Sequence, residues 1–126
     1  MSDLTNPTWF RTARNNTVAI LVKNRFLAPD TGAGDYRLPA AVTTVGEGVT
    51  VEDIPIGGHK SVQVEGIAEV ECSAAIAVND FVQSGTDGRA ATAATSSAIR
   101  GRAKTATTAA GQMVEVELWK GRFIAP

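Results

Sequence analysis

Over residues 62–73 the chain alternates apolar and polar side chains with a period of two. Val62, Val64, Ala68, Val70 and Cys72 share one face, with Gly66 in the same register. Gln63, Glu65, Glu69, Glu71 and Ser73 share the other face, and Ile67 is the exception. That period belongs to a half-buried strand and not to a helix. Residues 113–120 repeat it, with Val114, Val116 and Leu118 against Glu115 and Glu117. Between the two runs, Asn79-Asp80, Gly85-Thr86-Asp87-Gly88 and Ala110-Gly111 are turn sequences. Short strands with turns this close together predict an all-β sandwich or barrel.

The length of 126 residues is that of one domain. Such a chain buries roughly two-thirds of its unfolded surface and needs neither a disulfide nor a metal to fold. Its single cysteine, Cys72, lies on the apolar face of its strand, where a thiol acts as a small buried hydrophobe. A net charge of −1 gives no reason to expect a polyanionic partner. No apolar run approaches the ~20 residues of a membrane-spanning helix. The opening MSDLTNPTWF has no signal-peptide pattern, so synthesis in a cytoplasm is expected. Abundant Ala, Thr, Val and Gly favour a β core of small residues over a helical bundle.

Residues 1–16 show no sustained period, and Asn6-Pro7 disfavours helix there. Trp9 and Phe10 stand side by side among Arg11, Arg14, Asn15 and Asn16. Such an aromatic pair either folds back onto its own core or anchors the segment on a neighbour. Residues 17–23 (TVAILVK) are nearly continuous in β-formers. They predict a strand buried on both faces or lying between subunits. Residues 36–45 and 49–54 are candidate strands, joined by Gly46-Glu47-Gly48 in a tight hairpin. Phe81-Val82-Gln83 is a short strand, Asp87-Gly88 a hairpin turn, and residues 90–97 a strand fading into a loop. Residues 99–105 alternate again and place Arg100, Arg102 and Lys104 in one basic row. Set against Glu65, Glu69 and Glu71, or against Glu115 and Glu117, that row makes cross-strand ion pairs; its other use is as a patch for a partner.

No residue pattern supplies catalytic chemistry. His59 is the one histidine and sits in a glycine turn, Gly57-Gly58-His59. No His, Cys or carboxylate spacing matches a metal site. Nothing marks a nucleophile with a base. The pairs Glu69/Glu71 and Glu115/Glu117 read as solvated strand faces rather than acid–base pairs. Gly32-Ala33-Gly34-Asp35 lacks a third glycine and a following helix, so it is not a dinucleotide loop. The basic row carries no interleaved aromatics, as a nucleic-acid face would.

Five pieces carry a family resemblance. They are Val64-Glu65-Gly66-Ile67-Ala68-Glu69-Val70, Ala77-Val78-Asn79-Asp80-Phe81-Val82, Asp87-Gly88-Arg89, Ile99-Arg100-Gly101-Arg102-Ala103 and Ala110-Gly111-Gln112-Met113-Val114-Glu115-Val116. In this order they resemble the small decoration, or cement, proteins of tailed-phage capsids. Asn79 stands where that family usually has glycine, and tolerates the same left-handed backbone. Arg102 stands where the family usually has an apolar residue.

The resemblance implies a single compact β-barrel or β-tulip-like domain; the aperiodic opening with its Trp9-Phe10 pair makes residues 1–16 an extended N-terminal arm and residues 17–126 the β domain. It implies a structural virion protein bound outside the mature head at three-fold positions, stabilising it against genome pressure. The implied partners are the major capsid protein and the chain itself as a homotrimer. No catalytic, metal or cofactor residue, small-molecule substrate, nucleic acid or membrane is expected. Candidate interaction residues are Trp9, Phe10, Arg11 and Arg14 in the arm, and Val18, Ile20 and Val22 in the apolar run. The alternative is a surface-displayed module binding carbohydrate or receptor, which exposed aromatics in a cleft would favour.

Overall fold

The computed structural model describes residues 9–30, 32, 34–39, 48–85, 87–94 and 97–124, and among them every regular element is a β-strand. Five strands form a first sheet: β1 (Trp9–Asn15), β2 (Ala28–Pro29), β3 (Asp35–Arg37), β4 (Val49–Thr50) and β5 (His59–Glu65). Their order is β2-β3-β1-β5-β4. The second sheet contains β6 (Ile67–Glu71), β7 (Phe81–Ser84), β8 (Ala90–Thr92), β9 (Ala98–Ala103) and β10 (Met113–Ile124). Its order is β6-β10-β9-β7-β8. It curls until its edges meet: Cys72, just past β6, bridges Ala90 of β8, and the Ser73 N–H donates to the Ala90 carbonyl at 2.9 Å.

The period-two run of residues 62–73 is two strands in two sheets. Gly66, at φ 92°, turns the chain from β5 in the first sheet to β6 in the second. Only glycine enters that backbone region without steric cost. Alternation survives because both sheets bury one face, and the period reports the buried face rather than the sheet. The core is accordingly double. Val62 and Val64 join Ala13, Leu21, Leu27 and Ile54 in one cluster. Ala68, Val70, Cys72, Val82, Val114 and Val116 join Phe26 and Ile76 in the other, with Leu118 half-buried at its margin. Val64 and Leu118 therefore do not share a core.

Residues 17–23 are not a strand. One bridge, Leu21 to Ile54, ties them down, and Leu21 is buried while Val18, Ile20 and Val22 are exposed. The cause is Asn15. Its buried amide oxygen accepts from the Thr17 N–H at 2.9 Å and the Thr17 hydroxyl at 2.6 Å. Its NH₂ donates to the Ala19 carbonyl at 2.8 Å and the Ile54 carbonyl at 2.9 Å. An Asn that folds over its own following backbone bends the chain and overrides β propensity.

The expected hairpin over residues 36–54 also differs. β3 pairs with β1 and β2, whereas β4 pairs with β5 beyond them. Residues 40–47, which include Gly46-Glu47, lie outside the described residues. Trp9–Asn15, expected in an arm, is the central strand of the first sheet. Residues 1–8 and the Trp9 side chain lie outside the described part. The hairpin of β7 and β8 forms as the Asp87-Gly88 turn predicts. Gly88, at φ 82°, is required there twice over, because an added Cβ would stand 2.7 Å from the Phe26 carbonyl oxygen.

Candidate interaction surfaces

The two arginines of β1 that the sequence marks have different surroundings. Arg11 is exposed, opposite Val62 in register. Arg14 is half-exposed but closes on Asp35 of β3, Nε to Oδ1 at 2.5 Å and Nη2 to Oδ2 at 2.9 Å. The Asn16 amide adds a third donor to Asp35 at 3.3 Å. The Arg14 hydrogen bonds hold Asp35 below the usual carboxylate range, against the opposing effect of burial. Arg14 is raised in turn, first by its hydrogen bond to Asp35. Its guanidinium ties β1 to β3, so it is a fastening inside the fold before it is a contact for a partner.

Phe10 is 52% exposed and stands opposite Gln63. Four residues along the strand, past Arg14, the chain enters the bent segment that carries Val18, Ile20 and Val22. The Leu21–Ile54 bridge sets this segment beside residues 51–56. Val18 is 96% exposed, Ile20 54% and Ile56 60%; Val22 and Val51 are also exposed. Five exposed β-branched side chains on two neighbouring segments make an apolar edge of the kind that marks protein contacts. The structure thus brings Val18, Ile20 and Val22 together and adds Val51 and Ile56, while Phe10 remains apart.

A second surface shares with the residues marked from sequence only the basic row, through Arg102 and Lys104. Phe81 of β7 and Trp119 of β10 meet edge-to-face, with centroids 5.6 Å apart and ring planes at 62°. The Arg102 guanidinium of β9 lies 5.3 Å from the Phe81 centroid, and its Nε donates to the Asn79 carbonyl at 3.1 Å. Glu117 stands across from Arg102 and 3.7 Å from the Lys104 ammonium. Phe, Trp and Arg are the residues enriched at interface centres. They are far apart in sequence and converge because β7, β9 and β10 are sheet neighbours. The one available signal was Arg102 at a position where the resemblance expects an apolar residue.

The basic row holds only in part. Arg102 and Lys104 oppose Glu117, but Arg100 is buried, 5.3 Å from the Phe26 ring centroid. Glu115 stands opposite Glu69, a like-charge pair. Glu71 is paired with Arg25 at 3.4 Å and Arg89 at 3.8 Å. His59 is exposed at the start of β5, opposite Arg14. Among the described residues no three His, Cys, Asp or Glu side chains gather as a metal site would need. An open cleft of about 400 Å³ lies between β4 and β6, lined by Lys23, Val49, Val51, Gln63, Ile67 and Glu69 among others. Its lining contains no aromatic, and the Gln63 amide is already engaged by the Glu65 and Ile67 carbonyls.

A sequence profile described as phage cement protein matches residues 12–118. No curated protein matches the chain. Among solved structures, the N base of the head fiber gp8.5 of bacteriophage phi29 superposes with a TM-score of 0.70 at 22% identity. The match covers 93% of this chain and 98% of that one, and establishes a shared fold.

Proposed function

The chain belongs to the phage cement protein family, and from that premise we propose that it decorates the outside of the mature head as a homotrimer at three-fold positions. Membership makes it a capsid-associated structural protein, with a binding role rather than a catalytic one. In the finer reading, each trimer bridges neighbouring capsomers of the major capsid protein. Opening the shell against genome pressure then requires several contacts to break together. Linked contacts act through effective concentration, so individually weak faces give strong retention.

The observation that carries this reading is the apolar edge of Val18, Ile20, Val22, Val51 and Ile56. These side chains belong to neither core cluster, and an exposed apolar group of this kind is a mark of protein contact. The phi29 head fiber base lends support by likeness, since the same fold serves there in a head-attached protein. The carbohydrate- or receptor-binding alternative has less to rest on: Phe81 and Trp119 pack on each other and line no part of the cleft.

The test joins two measurements. Sedimentation of the free protein reports whether it is trimeric before docking, and imaging of decorated shells reports where it sits. Trimeric density on the outside at three-fold positions is the expected result. Monomers at other positions, or failure to bind shells, would overturn the reading.

A further inference from the structure

Arg100 sits where β9 and β10 fall out of register. Gly101 pairs with Leu118 and Ile99 with Phe123, so residues 119–122 of β10 stand against one residue of β9. Bulges of this kind re-aim a side chain and recur beside functional sites. Arg100 is aimed inward and is 5% exposed. Phe26 lies 5.3 Å from its guanidinium carbon and serves one face of the planar group. The in-plane donors are another matter. Nε and Nη2 are both buried and have no hydrogen-bond partner among the described residues.

Arg14 shows what this edge does when a carboxylate is in reach, while the Nε of Arg25 is buried without a partner among the described residues, like that of Arg100. Arg14 uses Nε and Nη2 to hold both oxygens of Asp35, and Arg25 and Arg89 both reach Glu71. For Arg100 no ion pair forms among the described residues. Burial pushes its pKa down to about 10, which still leaves it charged at neutral pH. A buried charge without an acceptor is costly, and a carboxylate is the group that fits two parallel N–H donors.

We propose that the Nε/Nη2 edge of Arg100 is a receptor for a carboxylate supplied from outside the chain's own fold. Two sources share that chemistry: a small free carboxylate, or a glutamate of a second copy. The second source rests on the homotrimer proposed above; the first does not. The chain has carboxylates to donate. Glu69 and Glu115 face each other across β6 and β10, and neither has a cation partner among the described residues. Directly opposed like charges are unfavourable in one chain and are relieved by a neighbour's cation.

The experiment uses the full chain and the variants Arg100→Met and Arg100→Lys. Melting is followed in sodium acetate and in sodium chloride at equal ionic strength, with self-association measured by sedimentation. If the source is free carboxylate, acetate raises the wild-type melting temperature by a few degrees over chloride and moves neither variant. If the source is a second copy, Arg100→Met melts at or above wild type, since an apolar side chain replaces a buried charge. Its self-association then falls about tenfold or more, and acetate weakens wild-type association by competition. Arg100→Lys should match Arg100→Met in its acetate response and in its self-association, because an ammonium cannot make the side-on pair, while the charge it keeps buried holds its melting temperature below that of Arg100→Met. Two results would overturn the proposal. One is a lower melting temperature for Arg100→Met with no acetate response in wild type, which leaves packing on Phe26 as the whole role. The other is no response to acetate and unchanged association in both variants. If wild type does not self-associate at all, the homotrimer fails while the acetate comparison still decides the role of Arg100.

Discussion

Asp35 is a buried carboxylate held by two bonds from Arg14 and one from Asn16, and it joins β3 to β1. Those bonds favour its ionised form, so its folded-state pKa lies below its unfolded value. The linkage sign follows: the group contributes stability above the ordinary carboxylate pKa of about 4 and loses it as pH falls through the depressed value. Asp87 acts in the same direction. Burial raises it, but the Arg89 backbone N–H at 3.1 Å and guanidinium at 2.7 Å more than offset that. The melting temperature of the wild type should therefore fall on acidification through and below about pH 4, and Asp35→Asn should flatten part of that fall. Thermal melts of both proteins across this range check it. Parallel curves would show that the Arg14–Asp35 pair carries none of the acid sensitivity.

Element by element, legibility followed how each strand displays its burial. The hairpin of β7 and β8 was legible because Asp87-Gly88 fixes a turn locally and Val82 and Ala90 are apolar where buried. β1 was not. Its buried members are Ala13 and Asn15, one small and one polar, while Phe10 faces outward, so its period of two is invisible to hydrophobic patterning. The switch between β5 and β6 was hidden because Gly66 keeps the register on both sides of the turn. Arg100 was misplaced because the offset between β9 and β10 arises from tertiary pairing, which no local pattern reports. The place of β1 has a sharp consequence. Removing residues 1–16 takes away the strand that holds β3 on one side and β5 on the other, so the truncated chain should lose cooperative unfolding. Removing residues 1–8 spares β1 and should leave the transition in place. Circular dichroism melts of the two truncations decide this, and a cooperative transition after loss of residues 1–16 would contradict the central role of β1.

At the scale of the whole molecule, the fold closes where it must stay closed and leaves apolar surface where a partner is expected. The second sheet joins its own edges at Cys72 and Ala90, whereas Val18, Ile20, Val22, Val51 and Ile56 stay between 42% and 96% exposed. Asn15 fixes the bend that presents Val18 and Ile20, so the apolar edge comes preorganised and little ordering entropy is lost on docking. In a closed ring a single edge recurs in every copy, and one substitution is felt at each interface. Ile20, 54% exposed, is the test position because its neighbour Leu21 carries the core contact. Ile20→Asp should leave the free chain within about 0.5 kcal/mol of wild type, as surface substitutions do. Burying the new charge in an assembled interface should cost about 2–4 kcal/mol, roughly thirty- to a thousand-fold in affinity per site. Arg102→Ala, made in parallel, removes the guanidinium from Phe81 without touching the apolar edge. Melting, sedimentation and shell retention measured on the same preparations separate the two surfaces. Loss of assembly with Ile20→Asp alone assigns the contact to the apolar edge. Loss with Arg102→Ala alone moves it to the Phe81–Trp119 face, and an Ile20→Asp protein that still assembles and stays on shells removes the apolar edge from the proposal.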